Sequence, residues 1–312
     1  MDWGHGMSNG RLRLLLQQPG VLVVPGSFDM ISAKVIDGLG FPALITGGYG
    51  HSASHLGMPD AGLITLPEMV ERVRNTVRTV SIPVIADGDT GFGGLINVVR
   101  TVREYEHAGA SAVQMEDQQM PKKCGHTPGR EVVDAEEMCL KIRAAVEARR
   151  SPDFLVFART DARTTLGLDE AIRRGRLYQA AGADALFVES PESEDEFAQI
   201  GRELAGMPLI ANMVVTGRGP LLSVKRLQEL GFKIVLYPTL TFLAAIPAMR
   251  EALAAVWEDG TPTRVMDRLM TMDECHQFVG FPEVWSFEER YGLKDYSTLG
   301  SMDAQPDEPK RG

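Results

Sequence analysis

PVIADGDTGFGGLINVVRTVREYEHAGASAVQMED, residues 83–117, holds the unit from which the fold is read. It opens on a short, nearly continuous apolar run, without the alternation of a half-exposed strand. Such a run predicts a parallel strand covered on both faces. Residues 95–108 then carry apolar side chains at three- and four-residue steps, the period of an amphipathic helix. Gly109 stops that helix, because helices commonly close on a left-handed residue and glycine reaches that conformation at least cost. A second apolar run begins at Ala112. Both runs end on carboxylates, Asp87 and Asp89 in the first, Glu116 and Asp117 in the second.

The pattern extends in both directions. Strand candidates start at Val21, Ala43, Pro83, Ala112, Phe154, Ala185, Pro208 and Ile234, with helical stretches between them, and Gly40, Gly182 and Gly231 stand where Gly109 does. Eight β-then-α units of about 30 residues predict an α/β fold of the closed (β/α)₈ TIM-barrel type over 1–262, with a short N-terminal extension. No G-x-G-x-x-G follows the first strand, which weighs against an open dinucleotide-binding sheet. The eighth helix is read over about 242–259. Residues 263–296 are amphipathic and surplus to the barrel, and Met266, Leu269, Met270, Phe278, Trp285, Phe287 and Tyr291 within them need a surface to cover. The polar stretch 297–312 is expected to be a disordered tail.

Bulk composition narrows the function. A net charge of −10 with no Lys/Arg-rich run argues against a nucleic-acid partner. An acidic chain still takes an acidic substrate where a metal ion supplies local positive charge. No run approaches about 18 uninterrupted apolar residues, so no membrane span or membrane partner is expected. The first residues show no signal-peptide cleavage pattern. Cys124, Cys139 and Cys275 are too scattered for a disulfide framework, and a reducing cytoplasm is the expected location.

Side chains at the C-terminal ends of barrel strands face the active site. Here those positions hold Thr46-Gly47-Gly48, Asp87 and Asp89, Glu116 and Asp117, Arg159 and Asp161, Glu189, and Asn212. Carboxylates from separate strands repel one another unless a cation joins them, and oxygen ligands without His or Cys neighbours select Mg²⁺, with Mn²⁺ the alternative. Against that reading, acidic groups at strand ends also cap the following helix. Asp117, Asp161 and Arg163 are read as structural, linked as neighbours in the mouth. Pro121-Lys122-Lys123-Cys124-Gly125-His126 opens a long polar βα loop, the type that closes over a barrel mouth. A thiol beside two lysines and a histidine is expected to have a lowered pKa and to exchange protons near neutrality. Cys139 and Cys275 lie in helical patterns and are read as packing residues, while His51 and His55 are weaker candidates for the mouth.

The motifs TGGYG, LGMPD, ADGDTGFG, MEDQ…KKCGH, ARTDAR and ANM, in this order from Val23 to about Tyr291, resemble the isocitrate lyase/phosphoenolpyruvate mutase superfamily. The KKCGH loop is similar to that of its carbon–carbon lyase branch, which includes 2-methylisocitrate and 2,3-dimethylmalate lyases. This resemblance implies that Asp87 holds Mg²⁺, with Asp60, Asp89 and Glu116 acting through the metal's waters. It further implies that Thr46, Gly47 and Gly48 cradle the substrate's α-carboxylate through backbone N–H groups and that Arg159 bridges substrate oxygens. Glu189 and Asn212 would face the distal half of the substrate, and Lys123, Gly125 and His126 would contact it from the loop. Cys124 would be the general acid. The base is left open between Asp60, Tyr49 and a metal-bound water. The C-terminal segment would pack on a neighbouring barrel, giving a homotetramer built as a dimer of dimers.

Two departures bear on the substrate. Val214-Val215 follow Asn212-Met213 where relatives often carry a Glu, and Thr239-Leu240 follow Tyr237-Pro238 where relatives often have Leu then Ser or Thr. The loss of polar groups favours an acid smaller or more apolar than a tricarboxylate. The expected activity is a Mg²⁺-dependent oxo-acid-lyase that cleaves the C2–C3 bond of a small 2-hydroxy carboxylic acid. Its rivals are an oxaloacetate hydrolase or decarboxylase, a phosphonate-forming mutase, and a non-catalytic barrel kept for binding.

Overall fold

The structure, a computed structural model, describes residues 9–293. Contacts gather the chain into two units, one ending at Pro247 and the other beginning at Ala248. The first contains α1 (Asn9–Gln17), β1 (Leu22–Ser27), α2 (Met30–Gly38), β2 (Leu44–Thr46), and α3 (Gly48–His51) running into a π-helical turn, Ser52–Leu56. Next come α4 (Leu66–Thr79), β3 (Val84–Asp87), α5 (Leu95–Ala108), β4 (Ala112–Glu116), α6 (Ala135–Ala148) and β5 (Leu155–Thr160). After these follow α7 (Ala162–Leu166), α8 (Leu168–Ala181), β6 (Ala185–Val188), α9 (Glu194–Glu203), β7 (Leu209–Asn212), α10 (Val224–Glu229), β8 (Ile234–Tyr237) and the start of α11 (Leu240–Asp259).

The eight strands pair in parallel and in sequence order, and β8 closes on β1 with Leu22 opposite Ile234. The barrel expected from the alternation is therefore present. The apolar runs are continuous because successive residues face two different cores. Val84 and Ala86 of β3, like Val156 and Ala158 of β5, pack outward against the helices, whereas Ile85, Leu155 and Phe157 fill the barrel interior. Fully buried Leu12 of α1 joins the interior cluster and plugs the end where the strands begin. Gly109 and Gly182 end α5 and α8 at φ 92° and 106°, the left-handed stops foreseen for them.

The second unit continues α11 from Ala248, then forms a 3₁₀ turn (Thr263–Arg268), α12 (Met272–Val279) and α13 (Phe281–Arg290). Arg268 holds Glu251 at 2.8 Å and ties the 3₁₀ turn to its own unit. Among its described residues only Ala255 and Val265 are buried apolar side chains, while Trp257 is 90% exposed. The contacts thus divide the chain at 247/248, inside α11, whereas the sequence placed the boundary at 262/263. The tail expected over 297–312, and the last residues of the 263–296 segment, lie outside the described residues. By length and composition alone α11 could cross a membrane, although Arg250 and Glu251 interrupt it.

Candidate active site

The strand ends of the first unit assemble a polar mouth. β2 ends at Thr46 and turns through Gly47 into α3, and the Gly48 N–H donates to Asp87 Oδ2 at 2.8 Å. A Cβ on Gly48 would lie 3.2 Å from both Asp87 Oδ2 and Asp89 Oδ1, and 3.3 Å from Lys122 Nζ. The second glycine therefore keeps open the space over the carboxylates. It also alters the expected cradle, since one of its N–H groups is already committed to Asp87. Thr46 is fully buried, and its hydroxyl turns back to the Ile85 carbonyl, so its side chain does not reach the cavity.

At the centre of the acidic set stands Lys122. Its ammonium contacts Asp60 and lies 2.6 Å from Asp89 Oδ1, with both side chains almost wholly buried. Burial works against its charge, but Asp89, Asp60, Glu116 and Asp87 more than offset this and hold the ammonium protonated well above its usual range. Burial pushes Asp89 up to about 7 against the pull of Lys122, with Asp87 and Asp60 adding to the rise. Burial likewise raises Glu116 well above the usual carboxylate range, although Arg159 opposes it. Lys122 was not foreseen as a site residue, because a lysine in a polar loop reads as solvated.

Among the described residues, no three or more Asp, Glu, His or Cys side chains gather closely enough to cage a metal. A Mg²⁺ ion does not require a cage, since it commonly keeps several waters and takes one or two protein carboxylates. The residues fit that mode. Glu116 Oε1 is buried with no hydrogen-bond partner, an acceptor suited to metal-bound water, while Asp89 Oδ1 is already paired with Lys122 at 2.6 Å. Asp87 and Asp60 line the cavity, whereas Asp89 and Glu116 stand behind its wall.

Arg159 rises from β5 into the same mouth. Its Nε and Nη2 bond Asp161 at 2.9 Å each, its Nε and Nη1 face Glu116 and Glu189 at 3.4 Å, and its guanidinium lies 5.1 Å from the Phe187 ring centre. Glu189 is held by Ser190 at 2.9 Å and Asn212 at 3.1 Å, with His126 Nε2 at 3.4 Å. Burial lowers the His126 pKa despite the pull of Glu189. A Cβ on Gly125 would meet Arg159 Nη2 at 2.5 Å and Glu189 at 2.9 Å, so any larger residue here would displace those two side chains.

Cys124, Gly125, His126 and Thr127 close one side of a cavity of about 280 Å³. The Cys124 N–H donates to the Asp60 carbonyl at 3.2 Å, and Ser190 Oγ donates to the Gly125 carbonyl at 3.1 Å. The expected lowering of the Cys124 pKa is corrected: burial pushes the thiol up, and Asp60 and Glu189 add to the rise. The reason is geometric. Lys122 turns to the carboxylates, and Lys123 turns away to the Gly129 carbonyl at 2.9 Å, so neither cation serves the sulfur. Lys123, expected at the substrate, does not line the cavity.

Other expectations divide similarly. Tyr49, Gly47, Gly48, Asn212, Val214, Val215 and Thr239 line the cavity, but neither His51 nor His55 does. His51 is buried and accepts from Arg72 Nε at 3.0 Å, while His55 is exposed. Asp117 is structural as expected and takes hydrogen bonds from Thr160, the Asp161 N–H, Arg174 and Tyr178. Arg163 instead pairs with Glu192 and Glu196, not with the two aspartates. Sequence reasoning missed the cavity floor, which is apolar except for Gln114. Ile45, Gln114, Phe187 and Leu236 line the cavity two residues before Gly47, Glu116, Glu189 and Pro238. The two-residue period of strands was the available signal.

A family model described as phosphoenolpyruvate phosphomutase matches residues 12–257. A 2,3-dimethylmalate lyase of Eubacterium barkeri is 50% identical over 281 residues, covering 90% of this chain and 97% of that protein. A 2-methylisocitrate lyase of Aeropyrum pernix is 44% identical over 86% of each chain. Among solved structures, a phosphonopyruvate hydrolase in complex with oxalate and Mg²⁺ superposes with a TM-score of 0.83 at 35% identity, covering 92% of this chain and 99% of that one.

Proposed function

The chain belongs to the phosphoenolpyruvate mutase/isocitrate lyase superfamily, and from that premise we propose that it is a Mg²⁺-dependent oxo-acid-lyase acting on a small, C3-alkylated 2-hydroxydicarboxylate. One observation carries the choice of substrate class. The cavity joins a polar wall of Asp60, Asp87, Cys124 and Arg159 to an apolar one of Phe187, Val214, Val215, Leu236 and Leu243. A third carboxylate is disfavoured against these valines and leucines, whereas an alkyl branch is favoured there by about 0.8 kcal/mol per buried CH₂.

The chemistry follows from that arrangement. A divalent ion on Asp87, its waters held by Asp60, Asp89 and Glu116, would supply Lewis acidity at the 2-hydroxy carboxylate. The hydroxyl proton leaves toward the Asp60 and Tyr49 side of the cavity. As the C2–O bond becomes a carbonyl, the C2–C3 electron pair passes into the distal carboxylate as an enediolate. Arg159 faces that negative charge. Cys124, kept as a thiol by burial, gives its proton to C3. For 2,3-dimethylmalate the products are pyruvate and propanoate. Thr239 Oγ1, buried and unpartnered, is available to donate to the distal carboxyl group.

The same reading extends to assembly and location. Met266, Met270 and Trp257 of the second unit are 61%, 57% and 90% exposed. Burying such side chains is worth about 1.5–3 kcal/mol each, which supports packing of the C-terminal segment on a neighbouring copy as a homotetramer, while three free cysteines support a cytoplasmic location. The test of function is a panel of 2,3-dimethylmalate, 2-methylisocitrate, oxaloacetate and phosphonopyruvate with Mg²⁺. The reading predicts the highest kcat/KM on the alkylmalate. A higher value on oxaloacetate or phosphonopyruvate transfers the site to hydrolase chemistry.

A further inference from the structure

The loop between β4 and α6 is zipped at its neck. Gln118 bridges Val132, the Gln119 N–H donates to the Glu131 carbonyl at 2.8 Å, and the Val133 N–H donates to the Asp117 carbonyl at 2.9 Å. Cys124, Gly125 and His126 form the part beyond the neck that roofs the cavity. Just above the neck, on the returning leg, is Arg130. Its side chain is almost wholly buried, its Nη1 lies 2.6 Å from Asp161 Oδ1, and its Nη2 donates to Thr164 Oγ1 at 2.8 Å. Asp161 Oδ1 is the same oxygen that accepts from Arg159 Nη2. One buried carboxylate thus carries two guanidinium ions, one from the loop and one from the barrel.

We propose that Arg130 is a positioning residue, which through Asp161 couples the seating of the Cys124 loop to the orientation and free charge of Arg159. The charges give the reason. Arg159 is surrounded by Asp161, Glu116 and Glu189, all buried. Without a second cation on Asp161, the Asp161 and Glu189 carboxylates alone would leave Arg159 little charge for a substrate. Arg130 takes up part of the Asp161 charge only while the loop is down, so Arg159 is set for substrate when the thiol is in place above it. Arg130 Nε is buried without a partner, which indicates that the ion pair with Asp161, more than a complete set of hydrogen bonds, holds this side chain in place.

The kinetic arm of the test rests on the lyase reading, and a proteolytic arm does not. Arg130→Met should lower kcat on the best alkylmalate by roughly 10²-fold, the scale of a misplaced catalytic group, with a smaller rise in KM. Arg130→Lys should recover part of the loss, and added guanidinium ion should restore Arg130→Ala more than an alkylammonium ion does. In the substrate-free protein, at a temperature well below the Tm of both, trypsin should cut after Lys123 faster in Arg130→Met than in the parent. Should Arg130→Met not fold, Thr164→Val, which removes only the Nη2 partner, and Arg130→Lys give the same two readouts. Unchanged loop cutting together with near-parental kcat would overturn the proposal, as would equal rescue by both cations. A parent protein inert toward every acid in the panel, yet with loop cutting that responds to Arg130→Met, would overturn the lyase reading and leave the coupling in place.

Discussion

Replacing Cys124 by Ser tests the proton donor with the least disturbance of shape. The loop's backbone contacts survive the change, since the Cys124 N–H still reaches the Asp60 carbonyl and its own carbonyl still accepts from Thr127. What changes is acidity. Burial raises the thiol above its ordinary value of 9.0, so at neutral pH the sulfur keeps its proton and can deliver it. An alcohol is roughly five units less acidic than a thiol, and with a Brønsted sensitivity of about one half the transfer slows by roughly 10²- to 10³-fold. That corresponds to about 3–4 kcal/mol on the barrel's chemical step. KM should stay within a few-fold, because the carboxylate-binding groups are untouched. The assay is steady-state release of 2-oxo acid from the preferred alkylmalate, followed through a coupled dehydrogenase. A serine variant within threefold of the parent kcat would refute the reasoning and remove Cys124 from the chemistry.

Three further outcomes follow. Asp87→Ala should abolish turnover and Mg²⁺ binding measured by calorimetry while Tm changes little, and EDTA should inactivate the parent reversibly; full activity after exhaustive chelation contradicts the metal assignment. Burial lowers the His51 pKa from 6.5 to about 3, so below pH 6.5 the unfolded chain takes a proton that the folded one refuses. Stability should therefore fall by up to about 1.4 kcal/mol per pH unit as pH drops from 6 to 4, and His51→Gln should flatten that slope in urea titrations; an unchanged slope removes His51 as its source. Light scattering at micromolar concentration should give a multiple of 34.1 kDa, and truncation at Thr263 should cause dissociation or aggregation; a monomeric full-length protein contradicts the packing of the C-terminal segment on a neighbour.

The barrel was legible because burial on two sides leaves a mark. Ile85 faces the interior and Val84 and Ala86 the helices, so the run reads as continuously apolar, and Gly109 marks where each unit turns back. The acids of the mouth were legible for a related reason, since strand ends in this fold point to one place. Three-dimensional pairing was not. Lys122 sits three residues from a stretch of turn-forming sequence, and nothing local says that it crosses to Asp60 and Asp89. The direction of the Cys124 shift was misread for the same reason: neighbours in sequence, Lys122 and Lys123, are not its neighbours in charge. Asp161 and Arg130 lie 31 residues apart, and only the folded path of the loop brings them to 2.6 Å.

The central claim is cleavage of a C2–C3 bond with protonation of the released carbon. Its most direct test is NMR of the products formed from 2,3-dimethylmalate by the Mg²⁺-loaded protein in D₂O. Pyruvate and propanoate should form in equal amounts, with one deuterium at C2 of the propanoate and neither product formed once EDTA is added. Recovery of unchanged dimethylmalate, under conditions where the protein hydrolyses oxaloacetate or phosphonopyruvate, would contradict it.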